Sequence, residues 1–256
     1  MTQEEMNILV PQKLREIEER NNVTVLYAVE TGSRAWGFAS PDSDFDVRFI
    51  YKRTQEDYLR LDPPRDVIEL PIDDVWDVSG WDLRKALLLL HKSNPSVFEW
   101  LGSPMPYITT GFEERFRPLM QMYFSEKRML YHYLSMARNN RRNHLTGELV
   151  TPKKYLYALR PLLACQWIIE KHSAPPVLFA DLTDAMLPPE MKGTLDALLE
   201  IKMAGNEKEK IPHIAEIDTY IEESITTLLA YLQSLTEEAP LGWDALNAFF
   251  LHEIRT

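Results

Sequence analysis

An α+β domain with a short mixed sheet, followed by an all-helical domain, is the fold that the sequence predicts. Two observations carry this reading. Strand signals, meaning apolar β-branched runs bounded by turn residues, fall in the first 110 residues, and beyond them the apolar residues recur at helical spacing. Pro104 and Pro106 punctuate the change and divide the chain into domains at 1–106 and 107–256. With 256 residues, 45% of them hydrophobic and only 9 glycines, the chain has the material for two cores.

Met6, Leu9, Val10, Leu14 and Ile17 mark an opening helix over 3–20, interrupted or kinked near Pro11. Its acidic, amphipathic character predicts a packed helix and not a secretory leader. The run 23–29 reads as a strand, the chain breaks at Gly32-Ser33, and 44–51 reads as a second strand. A short helical turn and a loop ending at Pro63-Pro64 lead to two short strands, 67–70 and 75–78, paired around a turn at 71–74. Ser79-Gly80-Trp81-Asp82 has the form of a capping box, with Asp82 reaching back to the cap of a buried helix that runs from Trp81 to His91. Asn94-Pro95 supplies a cap and a first helical residue for the next helix. After an extended candidate at 107–110, helices are expected at about 111–122, 123–145, 151–171, 178–186, 188–204, 213–235 and 242–253.

Composition excludes several classes of function. A net charge of −11 argues against coating long duplex nucleic acid, which basic surface drives. The charge is uneven: residues 1–125 carry 14 basic and 21 acidic side chains, 126–160 carry 8 and 2, and 161–256 carry 6 and 16. One basic island therefore sits in an acidic protein. The single cysteine, Cys165, lies in an apolar run, so no internal disulfide forms, and a reducing cytoplasm is the expected setting. Six histidines without paired ligand spacing speak against zinc, and no apolar run is long enough to span a bilayer. Neither a Gly-x-x-x-x-Gly-Lys loop nor a dinucleotide Gly-rich turn is present.

The chemistry concentrates at 23–51. Because strand side chains alternate, Asp44, Asp46 and Arg48 share one face while Phe45, Val47 and Phe49 take the other. Neighbouring carboxylates with no imidazole or thiol suit a hard ion such as Mg²⁺ or Mn²⁺, which takes part of its shell from substrate phosphates. Gly32 lets backbone approach a ligand closely, and Ser33 offers an N–H and a hydroxyl to a phosphate. Together these residues describe a site for a metal and a nucleoside triphosphate. Downstream, Lys153, Tyr157 and Arg160 fall within about 60° of one another on a helical wheel, with Lys154 about 100° from Lys153. Such a stripe suits phosphates and a base or sugar, or else it is a solvated basic face with Tyr157 packed beneath it.

The string GSRAWGFASPDSDFDVR resembles the signature of the DNA polymerase beta-like nucleotidyltransferase superfamily, and more narrowly its YcgL-like, RNA-ligase-associated group. KSNPSVFEWLGSP and KKYLYALR are similar to further segments of that group. The resemblance implies a polymerase-beta-like nucleotidyltransferase domain followed by a helical domain that closes the substrate cleft. It implies Asp44, Asp46 and a third strand carboxylate as catalytic metal ligands for Mg²⁺ or Mn²⁺. Asp77 fits that third place ahead of Asp74, which lies in the expected turn. Gly32, Ser33, Arg48, Lys153, Lys154, Tyr157 and Arg160 become the nucleotide-binding set. The implied reaction moves a nucleoside monophosphate onto a hydroxyl of an RNA end, a protein or a small molecule and releases pyrophosphate. The alternative is a nucleotide-binding regulator without turnover. Thr31 departs from the superfamily pattern, which has an apolar residue before the glycine.

Overall fold

The computed structural model describes all residues except 72–75, 205–208, 237–238 and 240. The chain forms two compact units: one of Met1–Ala35, Asp44–Tyr123 and Pro240–Thr256, the other of Trp36–Ser43 and Phe124–Ala239.

The first unit opens with α1 (Gln3–Asn21), a single helix that holds Pro11 in its interior. Thr2 and Glu5 close a capping box, Glu5 N–H donating to Thr2 Oγ1 (3.2 Å) and Thr2 N–H to Glu5 Oε2 (2.7 Å). There follow β1 (Val23–Glu30), α2 (Gly32–Trp36), β2 (Phe45–Arg53), α3 (Gln55–Tyr58), β3 (Val67–Glu69), β4 (Trp76–Asp82), α4 (Leu83–His91), α5 (Pro95–Leu101), β5 (Pro106–Thr109) and α6 (Phe112–Met122). The five strands make one mixed sheet in the order β3-β4-β2-β1-β5, with β2 and β4 parallel and every other pair antiparallel. Met6, Val10, Leu14 and Ile17 of α1 share a buried cluster with Phe45, Val47, Phe49 and Tyr51 of β2. The strand's period of two then turns Asp46 and Arg48 to the opposite face.

Two expectations change at β4. The segment 79–82 is not a capping box; it stays extended because it pairs with β2 through Tyr51↔Asp82 and with β3 through Val67↔Trp81. Gly80 is part of the reason, since a Cβ there would lie 2.2 Å from the Phe49 ring. The helix therefore starts at Leu83, and Asp82 itself is its N-cap, accepting from Arg84 N–H (2.8 Å) and from Tyr58 O–H (3.2 Å). Asn94 and Pro95 do cap and open α5, Asn94 Oδ1 accepting from Ser96 N–H (2.9 Å). The turn at 71–74 falls partly outside the described residues, and with it Asp73 and Asp74. The boundary read at Pro104–Pro106 lies within the first unit, because β5 pairs with β1 (Tyr27↔Thr109, Ala28↔Ile108) and completes the sheet.

The second unit contains α7 (Glu126–His144), β6 (Leu149–Val150), α8 (Pro152–Lys171), α9 (Phe179–Met186), a 3₁₀ turn at Pro189–Met191, α10 (Lys192–Ala204), β7 (Ile211–Pro212) and α11 (Ala215–Ser234). Helix α8 is its centre, with Tyr155, Leu156, Leu159, Leu162, Leu163 and Ile168 all buried. Cys165 is also fully buried there, and desolvation pushes its thiol pKa up, which leaves it an inert packing group. The two-residue strands β6 and β7 pair antiparallel, where the sequence predicts no strand; segments this short carry no periodic signal. The chain then returns to the first unit as α12 (Asp244–Arg255). Its Glu253, only 1% exposed, accepts from Arg115 Nε (2.7 Å) and from the Arg115 guanidinium NH2 group (3.0 Å), while its carbonyl accepts from Lys52 Nζ (2.8 Å). Among the described residues no helix is long and apolar enough to cross a membrane.

Candidate active site

Strands β2 and β4 run parallel with Asp46 directly opposite Asp77. Opposed residues on neighbouring strands project from the same face, so the two carboxylates stand side by side, each about one-third exposed. Two such anions repel unless a cation lies between them. Arg48 supplies one, donating from its NH2 group to Asp77 Oδ2 (2.7 Å) and to Asp46 Oδ1 (3.3 Å). Its NH1 group donates to the carbonyls of Asp77 (2.8 Å) and Val47 (3.0 Å), which fixes the guanidinium plane between the strands.

The turn after β1 encloses Asp46 from the other side. Gly32 has φ +62, and a Cβ on it would lie 2.1 Å from Asp46 Oδ2, so only glycine fits here. Thr31 donates twice to the Asp46 carbonyl, from N–H (2.9 Å) and Oγ1 (3.0 Å). An apolar residue at that position would lose the second bond, which accounts for the departure at Thr31. Ser33 is buried in the one-turn helix α2. Asp44 is exposed, one residue ahead of β2, and Arg34 holds its backbone by donating from Nε to the Asp44 carbonyl (3.1 Å) while stacking on Phe45, 3.7 Å from the ring centroid.

Beneath this pair lies a third carboxylate that the sequence reading missed. Glu30, fully buried at the end of β1, accepts from Asp46 N–H (2.7 Å) and from Tyr107 O–H (2.5 Å). Gln3 in turn donates to the Tyr107 hydroxyl (3.2 Å). Burial raises the Glu30 pKa to about 7, against the opposing pull of these two hydrogen bonds. An acid that ends an apolar strand immediately before Thr-Gly-Ser was the available signal. A carboxyl that holds its proton more tightly in the folded than in the unfolded chain favours folding at low pH, and that contribution is lost as pH rises from about 4.5 through about 7. We expect wild-type stability to carry a loss of up to about 3 kcal/mol over this window, at 1.36 kcal/mol per pKa unit. Glu30→Gln should flatten it, as read from urea denaturation across pH.

In the helical unit, Lys153 and Lys154 both bring Nζ near the Tyr157 ring, at 5.5 and 5.9 Å from its centroid, and Tyr157 meets Trp36 edge-on at 5.4 Å. Arg160 is different in kind. It is 2% exposed, lies 4.4 Å over the Trp36 ring and donates to the Val177 carbonyl (3.3 Å), so the stripe divides into partly exposed lysines and a buried support. The segment Trp36–Ser43, between Gly-Ser and the Asp-x-Asp strand, belongs to this helical unit. There buried Lys202 donates to Ser40 Oγ (2.6 Å) and Ser43 Oγ (3.4 Å), ties across separations of 162 and 159 positions that no sequence pattern announces.

Among the described residues no three carboxylates, imidazoles or thiols converge as a metal cage. The donor chemistry nonetheless suits a hard divalent ion, since Asp46 and Asp77 offer oxygen only and such an ion draws its remaining ligands from water and phosphate.

Residues 6–252 match the family model described as "RNA repair pathway DNA polymerase beta family". A curated relative, "Uncharacterized protein YcgL" of Bacillus subtilis (strain 168), is 43% identical over 246 residues, covering 94% of each chain. A crystal structure described as a nucleotidyltransferase-like protein from Exiguobacterium sibiricum 255-15 aligns over 87% of this chain and 74% of its own, at 13% identity and a TM-score of 0.33.

Proposed function

Because the chain belongs to the RNA repair pathway DNA polymerase beta family, we propose that it transfers a nucleoside monophosphate from a nucleoside triphosphate to a hydroxyl acceptor and releases pyrophosphate. The observation that carries the reading is the opposed pair Asp46 and Asp77, with the Gly32 backbone against one of them. Asp46 and Asp77, joined by exposed Asp44, are the residues that would hold Mg²⁺ or Mn²⁺. When bound, such an ion neutralises charge on the triphosphate and favours ionisation of the acceptor hydroxyl. Arg48 bridges and orients the carboxylates, and Glu30 and Thr31 anchor the Asp46 backbone. Gly32 and Ser33 bring backbone close to a phosphate. Lys153 and Lys154 serve as phosphate ligands, Tyr157 as a base or sugar contact, and Arg160 as the support of Trp36. Chemistry of this kind is mostly positioning and charge stabilisation, which is what these residues provide.

A second reading, a nucleotide-binding regulator without turnover, draws on one observation: Arg48 already bridges the two carboxylates. Metal-dependent release of pyrophosphate separates the two. Incubation with each labelled nucleoside triphosphate, Mg²⁺ or Mn²⁺ and cell extract should place label on an acceptor; metal-independent binding with no pyrophosphate would select the regulator. Lys153→Ala is expected to weaken triphosphate binding by about 1.5–3 kcal/mol and monophosphate binding by less, measured by calorimetry. Equal losses would move Lys153 to the sugar or base.

A further inference from the structure

The outer face of α7 carries chemistry that the proposed transfer site does not use. At 100° per residue Tyr131, Arg138 and Arg142 lie within about 40° of one another, along about 16 Å of helix. Tyr131 is 63% exposed, an unusual position for a large aromatic on a helix whose other face is packed. Both arginines are exposed as well. Arg138 makes no hydrogen bond or ion pair with any described residue. Among the described residues Arg142 bonds only to the neutral side-chain oxygens of Asn139 (3.3 Å) and Asn143 (3.4 Å), so no carboxylate there compensates its charge. Beside them opens a cleft of about 670 Å³ lined by Ser135, Asn139 and Thr226. Its one carboxylate, Glu222, is committed to Arg141.

A merely solvated basic helix would alternate its charges, as many exposed helices do. Helix α7 instead carries five lysines and arginines against the single acid Glu126, within a protein of net charge −11. The net charge repels a polyanion at a distance, and this face attracts it locally. Uncompensated guanidinium groups interleaved with an exposed aromatic are what a single nucleic-acid strand requires: phosphates take the cations and an unstacked base takes the ring. The hydroxyls of Ser135 and Thr226 and the amide of Asn139 can meet a ribose 2′-hydroxyl, the group that separates RNA from DNA. A duplex, with its bases buried, would leave Tyr131 unused.

We propose that this face of α7 binds single-stranded RNA, with phosphates on Arg138 and Arg142 and a base stacked on Tyr131. The inference builds on the nucleotidyl-transfer reading and gives its acceptor a class. The test is fluorescence anisotropy of a short labelled single-stranded RNA with the full chain, without nucleotide or metal, so that binding is read apart from chemistry. Tyr131→Ala should weaken binding about 5- to 160-fold. For two phosphates neutralised, log affinity should fall against log salt with a slope of roughly −1.4, and Arg138→Ala or Arg142→Ala should each reduce that slope by about 0.7. Melting temperatures should not move, because all three side chains are outside the core. Unchanged affinity in the three variants would overturn the proposal, as would equal binding of the same sequence as DNA, of duplex RNA or of polyglutamate. RNA binding without any nucleotidyl transfer would sink the transfer reading and leave this one standing; transfer to a small molecule with no RNA binding would do the reverse.

Discussion

Asp46→Asn is expected to reduce nucleotidyl transfer by about 10³-fold or more, roughly 4 kcal/mol at tenfold per 1.36 kcal/mol. Asn keeps the shape of the side chain and presents one neutral oxygen, so it removes charge from the metal-binding pair without opening a cavity. The loss should appear in turnover and in metal affinity, and not in folding. Arg48 retains its 2.7 Å bond to Asp77, and the Asp46 backbone remains held by Thr31 and Glu30. Removing one of two like charges also relieves repulsion in the metal-free chain. Steady-state assays with Mg²⁺ titration, paired with thermal melting, decide the matter. A melting temperature that falls together with activity would make Asp46 a structural residue.

Gly32→Ala is the second large effect expected, and it acts by shape alone. The added methyl would sit 2.1 Å from Asp46 Oδ2 and on a backbone with φ +62, which L-residues seldom adopt. The backbone strain alone amounts to about 1–2 kcal/mol. The overlap must then be resolved by moving the carboxylate or the turn, and a displacement of the order of 1 Å at reacting groups costs about 10²-fold in rate. The variant should therefore lose both stability in urea and most of its transfer activity. Asp46→Asn in the Gly32→Ala background should add little further loss, because the two changes strike one position.

How much of this was legible in the sequence depended on whether the signal was local. Strand alternation at Phe45, Val47 and Phe49 placed Asp44, Asp46 and Arg48 on one face; β2 bears this out for Asp46 and Arg48, with its odd residues in the core, while Asp44 lies one residue ahead of the strand. Asp77 on a strand followed from the turn expected at 71–74 and from the family resemblance, and the parallel register that sets it opposite Asp46 is a tertiary fact. The capping-box reading of Ser79 and Asp82 failed for the converse reason: a sound local pattern was outweighed by pairing with strands on both sides. Arg160 shows the limit of helical wheels, which give direction around an axis but not depth; a guanidinium expected at a surface stacks on Trp36 instead. Glu30 gave a faint local hint, and the contact of Lys202 with Ser40 and Ser43 gave none, because its partners meet only in the folded chain.

The route of the chain has a consequence for its synthesis. The sheet-bearing unit takes in residues from both ends of the sequence, and Glu253 reaches Arg115 and Lys52 across separations of 138 and 201 positions. On a ribosome adding about 5–20 residues per second, Arg115 emerges on the order of ten seconds before its partner exists. During that interval the helical unit, whose residues 124–239 are complete first, can settle while the unit that carries the carboxylates still lacks α12. The order in which parts mature is thus the reverse of the order in which they begin, and the unit that starts the chain is completed last.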